Sequence, residues 1–127
     1  MGRGCDYKCE SCGYAVNFQF GGGRILHDYR KMIMDGEYGE RAIEVLEEGD
    51  TGHIYASWSP YVCSSCGSYR SDAPVVIERS GKRAYTSPVK CDCGKRMRRV
   101  NESELKGELT CPKCGGRMSN VGEYLWD

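Results

Sequence analysis

Four pairs of cysteines are each followed at once by glycine: Cys9-Glu10-Ser11-Cys12-Gly13, Cys63-Ser64-Ser65-Cys66-Gly67, Cys91-Asp92-Cys93-Gly94 and Cys111-Pro112-Lys113-Cys114-Gly115. Thiolates two or three positions apart across a turn can face one ion at about 2.3 Å. A glycine suits the next position, because the chain must swing its N–H groups past charged sulfur, where a side chain would crowd the turn. Eight such sulfurs make two four-thiolate sites. The chemistry implied is closed tetrahedral metal binding, which leaves no coordination position open for catalysis.

Which pairs share an ion is decided by locality. Sequential pairing puts Cys9, Cys12, Cys63 and Cys66 in site 1, and Cys91, Cys93, Cys111 and Cys114 in site 2. The 17 residues between Cys93 and Cys111 fall within the ~15–20 usual for such sites. Closing the 50 residues between Cys12 and Cys63 is cheap, since loop entropy grows only logarithmically. The rival arrangement joins Cys63/Cys66 to Cys91/Cys93 across 24 residues and nests one site inside the other. Connections are usually short and local, which favours sequential pairing. Four thiolates suit Zn2+, so two zinc ions are expected, with iron as the alternative. Zinc contributes ~10–16 kcal/mol of apparent binding energy against a net domain stability of ~5–15 kcal/mol, so the chain around the two sites should not fold without metal.

The four turns resemble the knuckles of the zinc-ribbon and rubredoxin-like superfamily. The resemblance covers the knuckles and the strands from about Tyr85 to Asp127; residues 13–62 match no family of known activity. It implies a zinc-ribbon fold and, diffusely, contacts with nucleic acid or with proteins of the transcription or translation machinery.

The elements that must position the cysteines follow from periodicity. Tyr14, Val16, Phe18 and Phe20 alternate, predicting a half-buried strand over 14–20. Ile25, Tyr29, Met32 and Ile33, then Tyr38, Ala42, Val45 and Leu46, recur at helical spacing, and Asp35-Gly36 and Gly49 end the two runs. Residues 25–49 therefore read as a helical hairpin, with Glu37, Glu40, Glu44, Glu47 and Glu48 on its solvated face. One strand is expected over 53–62, with Trp58 and Tyr61 roofing the metal or packing on the helices; a stacking platform for bases is the lesser alternative for the two. A hairpin over 75–86 turns at Ser80-Gly81. A short strand over 95–100, a polar loop over 101–107 and a last strand at Val121–Trp126 complete the second ribbon. The fold class is a small metal-stabilised α+β protein. It has two zinc ribbons of short antiparallel strands, at 1–74 and 75–127, the first with the helical insertion.

Hydrophobic residues make up 39% of the 127, little for one core, so metal must act as the staple. The opening residues contain no apolar run and Asp6 breaks the myristoylation pattern; no segment approaches the ~20 apolar residues of a membrane span. The expectation is a cytoplasmic protein with metal-bound thiolates rather than disulfides. Cys5-x3-Cys9-x2-Cys12 matches the cluster spacing of radical S-adenosylmethionine enzymes, but the chain is too short for their partial barrel and Ser11 stands where they favour an aromatic. Cys5 is a bystander, His27 and His53 are ordinary residues, and Gly21-Gly22-Gly23 is a turn rather than a phosphate cradle.

Charge divides unevenly: residues 1–63 carry −4 and residues 64–127 carry +4. Arg79, Lys82, Arg83, Lys90, Lys95, Arg96, Arg98 and Arg99 cluster around the third knuckle, with Asp92 the one acid between 79 and 99. Such density suits phosphate contacts, or balances the −2 of a zinc tetrathiolate. Tyr85 is the one aromatic inside this stretch, whereas single-strand binders interleave aromatics with cations. The expected function is a non-catalytic macromolecular binding or accessory module, nucleic acid or its machinery leading. The alternative is a protein–protein adaptor using the acidic hairpin. No catalytic set, membrane contact or small-molecule substrate is implied.

Overall fold

The computed structural model describes residues 2–22, 29–49 and 53–126. In chain order it contains β1 (Gly2–Cys9), β2 (Ala15–Phe20), α1 (Tyr29–Met34), α2 (Glu40–Glu47), β3 (His53–Ala56), β4 (Ser59–Cys63) and β5 (Tyr69–Asp72). Then follow β6 (Val75–Arg79), β7 (Lys82–Thr86), β8 (Met97–Arg99), a helical turn at Glu104–Glu108 and β9 (Met118–Trp126). The nine strands form three antiparallel sheets with the orders β2-β1-β9, β3-β6-β7 and β5-β4-β8.

Each sheet joins strands from both sides of residue 74, so the expected division into 1–74 and 75–127 is crossed three times. The last strand does not close a ribbon with the third knuckle. It runs beside β1 from Gly2↔Trp126 to Cys9↔Met118. Alternation in β1 turns Cys5, Tyr7 and Cys9 inward, where they meet Phe18 of β2 and Leu109, Cys111 and Met118 near the C-terminus. Phe18 sits at the centre, with ring centroids 5.2 Å from Tyr7 and 5.7 Å from Tyr69.

The helical hairpin exists, but the knuckle that follows it, Cys63/Cys66, does not share a tetrad with the one before it. Ile33, Ala42, Val45 and Leu46 are buried against Val75 and Ile77, with Ile54 and Tyr85 packed at the margin. The helices thus cover one face of β3-β6-β7, on which Ile54, Ile77 and Tyr85 form a single cross-strand row. Glu37, Glu40, Glu44, Glu47 and Glu48 are exposed as expected. The start of the expected first helix and His27 lie outside the described residues. The β6–β7 turn places Ser80 at φ 55° and Gly81 at φ 75°, the pair of left-handed residues that matches the twist of a two-residue hairpin.

The strand expected over 53–62 is two strands in different sheets. The chain leaves β3 after Ala56, and Trp58 bridges to Gly21 through paired backbone bonds of 2.9 and 3.1 Å. The glycine turn at 21–22 is held by this bridge. Pro60 is tolerated in β4 because β8 reaches only residues 61–63 and a proline near a strand start costs no ladder bond. Tyr61 packs on the cluster of Cys63, Val89 and Met97, as a metal-roofing residue would; Trp58 does not join that cluster. The polar loop expected over 101–107 contains the helical turn, pinned by Arg98 on Glu104 at 2.7 and 2.9 Å.

Phe18→Ala removes a ring with 0% exposure and should cost about 3–5 kcal/mol, as buried Phe truncations do. Denaturant unfolding of the metal-loaded protein measures it; a loss under about 1 kcal/mol would show that the β1-β2-β9 core is not closed around this residue.

Candidate metal centres

The structure brings all eight paired cysteines together, but not as the sequential pairing expects. Cys9, Cys12, Cys111 and Cys114 form one tetrad and Cys63, Cys66, Cys91 and Cys93 the other, with the sulfurs of each set within 4.8 Å of one another. Cys9 and Cys12 therefore belong with the last knuckle, and Cys63 and Cys66 with the third. The nested arrangement is the observed one. The outer tetrad follows directly from β1 lying against β9, and the inner from β4 lying against β8, where Cys63 is opposite Met97.

The distances suit metal ligation. Sulfur pairs lie 3.4 Å apart for Cys9–Cys114, 3.6 Å for Cys12–Cys111, 3.6 Å for Cys63–Cys93 and 3.4 Å for Cys66–Cys91. A disulfide would need about 2.05 Å, whereas a tetrahedron with ~2.3 Å zinc–sulfur bonds has an edge of about 3.8 Å. All nine cysteines are free.

Each knuckle closes in the same way. The glycine after the second cysteine donates its N–H to the carbonyl of the first: Gly13 to Cys9 at 3.2 Å, Gly67 to Cys63 at 2.8 Å, Gly94 to Cys91 at 2.9 Å and Gly115 to Cys111 at 2.9 Å. All four glycines have φ between 76° and 91°, the left-handed region that a Cβ disfavours. The turn then aims further N–H groups at sulfur. Ser11 and Cys12 donate to Cys9, Lys113 to Cys111 and Gly116 to Cys114, each at 3.4 Å. A Cβ on Gly116 would stand 3.2 Å from both Cys9 and Cys114 sulfurs and 3.0 Å from Ser11 Oγ, so the second glycine of Cys-Gly-Gly lets the outer knuckles close.

These contacts divide the protons unevenly. The N–H of Cys12, with that of Ser11, outweighs burial and draws the Cys9 thiol down to about 6. Ser68, 3.2 Å from the Cys66 sulfur, does the same for Cys66, also to about 6. At Cys91 the Cys93 N–H pulls down, but the neighbouring thiols and burial push it up to about 12. Cys114 is likewise raised to about 12, the Gly116 N–H being outweighed by Cys9, Cys12, burial and Cys111.

Cys5 stays outside both tetrads. It is four strand residues from Cys9, a separation of about 13 Å along an extended chain, so Cys5, Cys9 and Cys12 cannot share one cluster. Burial raises its thiol first, and Glu123 at 3.7 Å adds to the rise, which leaves it an unreactive core sulfur. His53 is exposed and stacks on Tyr55, far from a ligand role.

The expected basic cluster separates into two kinds. Arg79 reaches the Val45 carbonyl and Glu48, at 3.7 Å, tying the hairpin to α2, and Arg98 is committed to Glu104. Lys82, Arg83, Lys90, Lys95, Arg96 and Arg99 are exposed and make no ion pair among the described residues. The sequence singles out Tyr61, Arg83 and Arg99 separately but not Tyr55, nor the grouping of the four, which line one groove of about 390 Å³ between β3-β6-β7 and β5-β4-β8. Tyr55 and Tyr61 come from another stretch of chain, so no local window shows them among the cations. Among the described residues no helix is long and apolar enough to cross a membrane.

Comparison with known protein families, characterised proteins and solved structures finds no match to this chain.

At neutral pH the metal-free tetrads hold protons at Cys91 and Cys114, and the bound form requires thiolates, so loading must release protons. Affinity for Zn2+ should therefore rise with pH through neutrality and collapse below about 6, where Cys9 and Cys66 also take protons. Calorimetric titration at pH 7 in buffers of different ionisation enthalpy measures the release; binding with none would contradict this geometry.

Proposed function

We propose that the chain is a non-catalytic zinc-binding protein of ribbon type that binds nucleic acid through the cations around its inner tetrad, as an accessory module of the machinery that handles it. The observation that carries this reading is the set of six exposed cations without ion pairs among the described residues: Lys82, Arg83, Lys90, Lys95, Arg96 and Arg99. Lysines and arginines with no internal partner are what phosphate contacts require. If neutralising the inner tetrad were their whole role, they would crowd the sulfurs. Instead Lys82 and Arg83 project from a separate hairpin, and Arg83 lines the groove. Zinc is the metal assigned, because four thiolates in each set match its closed tetrahedral preference. The same closure argues against catalysis, since it leaves no open position for water or substrate.

The acidic helix α2, with Glu40, Glu44 and Glu47, lies on the opposite face of β3-β6-β7 from that groove. The α2 carboxylates are thus held away from the groove, and this arrangement favours approach of a polyanion on the groove side. The adaptor reading through α1 and α2 is the alternative that a negative result would promote.

Binding should be strongest at low salt and fall steeply as counterions compete. Lys82→Ala, Lys95→Ala and Arg96→Ala together should weaken DNA and RNA alike and reduce the salt slope by up to about one unit for each phosphate no longer neutralised. The fold should survive, because none of the three is a ligand or a core residue. Filter binding across a salt series measures this. No binding at about 50 mM salt would remove the nucleic-acid reading, and capture experiments with the acidic helical hairpin replaced would then test the adaptor.

A further inference from the structure

The groove between the two sheets has a more specific construction than a charged surface. The row Tyr55–Val76–Thr86 crosses β3-β6-β7 on the face that the helices leave open. Opposite it, Tyr61 and Arg99 are cross-strand partners on β4 and β8, and Arg83 closes one side. Burial raises the Tyr61 hydroxyl; Arg99 and Arg83 lie near enough to oppose that rise, and Asp72, opposite Ser59 on β5, adds to it. The volume, about 390 Å³, falls in the ~300–1,000 Å³ range of sites for small organic groups.

Ser59 supplies an independent sign of a ligand. It is 5% exposed, lines the groove, and its hydroxyl has no hydrogen-bond partner among the described residues. Buried hydroxyls are nearly always paired, and one that opens on a cavity asks for a partner from outside the chain. No acidic residue lines this groove among the described residues.

We infer that the groove holds one unpaired nucleotide of a single-stranded nucleic acid, its base against Tyr55 and Tyr61 and its phosphate between Arg83 and Arg99. The inference rests on the nucleic-acid reading above and narrows it to single strands. A stacked base satisfies two aromatic faces whatever its identity, and the two guanidiniums offer forked donors to phosphate oxygens. Ser59 and Thr86 are placed to take hydrogen bonds from, or give them to, base or sugar. Stacking of His53 on Tyr55, with ring centroids 5.0 Å apart, extends the platform along β3. A base pair inside a duplex cannot enter, because its bases are already stacked and both backbones would have to pass the sheets. Arg99 also walls a second groove of about 700 Å³. There Arg3 stands 4.4 Å over the Phe20 ring, but Glu102 and Glu123 line the same space and oppose phosphate.

Fluorescence anisotropy of the full, metal-loaded chain at about 50 mM salt tests this. The probes are labelled oligothymidylate, labelled oligouridylate and a mixed-sequence DNA duplex. Single strands should bind more tightly than the duplex. Tyr55→Ala should weaken single-strand binding on the order of ten-fold and leave duplex binding unchanged, and Tyr55→Phe should restore it by keeping the ring. Arg83→Ala, on an exposed hairpin where folding is not at risk, should lower the single-strand salt slope by about one unit. Equal binding of strand and duplex, with Tyr55→Ala silent and only the Lys82, Lys95 and Arg96 changes effective, would overturn the groove assignment while the basic-surface reading stands. No binding of any probe would overturn both.

Discussion

The constraint on which the fold depends is the outer tetrad, which fastens residues 9–12 to residues 111–114. Everything between them is one closed loop, and the inner tetrad closes a smaller loop within it. Closure entropy does not oppose this. The chain between Cys12 and Cys111 is 98 residues, against 50 for the sequential alternative, and one doubling of loop length costs only about 0.6 kcal/mol. That is small beside the ~10–16 kcal/mol that Zn2+, the metal proposed, would contribute at such a site. The deciding term is the sheet: eight residues of β1 are registered on β9, and the tetrad lies at the end of that ladder. Cys9, Cys111 and Met118 are buried in one core with Phe18, so tetrad, ladder and packing reinforce each other.

The identity of the ligands is legible in the sequence because the glycine after each cysteine pair has a local cause, the left-handed turn that Gly13, Gly67, Gly94 and Gly115 all adopt. The helices and the β6–β7 hairpin are legible for similar reasons: helical spacing over 29–47 and a Ser-Gly turn between Val/Ile-rich and Tyr-containing strands. What cannot be read is long-range. β1, with sequence Gly-Arg-Gly-Cys-Asp-Tyr-Lys-Cys, has two glycines and no β-branched residue, and its inward alternation at Cys5, Tyr7 and Cys9 is hidden by the motif. β5, Tyr-Arg-Ser-Asp, is a strand only because β4 pairs with it. The preference for local connections then selects the wrong pairing, because β1 gives no strand signal of its own. Propensity windows see neither partner strands nor the aromatic residues that come from another part of the chain.

Two consequences for function follow from the nesting. Because β3, β6 and β7 lie inside the outer loop, the helical hairpin covers one face of their sheet while the knuckle sheet β5-β4-β8 stands opposite the other. The α2 carboxylates and the groove are thereby placed on opposite sides of a single sheet, and Glu48 draws Arg79 of the basic cluster to the α2 side. The groove arises where the two sheets meet, and it gathers Tyr55, Ser59, Tyr61, Arg83 and Arg99 from β3, β4, β7 and β8. A linear reading of the basic stretch sees cations with one aromatic; the fold sees cations with two different aromatics and a buried hydroxyl.

The nested arrangement is tested most directly by metal content in paired cysteine substitutions. Cys9→Ser with Cys111→Ser strikes a single tetrad, so the double variant should retain one ion per chain after dialysis. Cys9→Ser with Cys63→Ser strikes both and should retain none. The reverse, no ion in the first double variant and one in the second, would contradict the structure and restore sequential pairing of the knuckles.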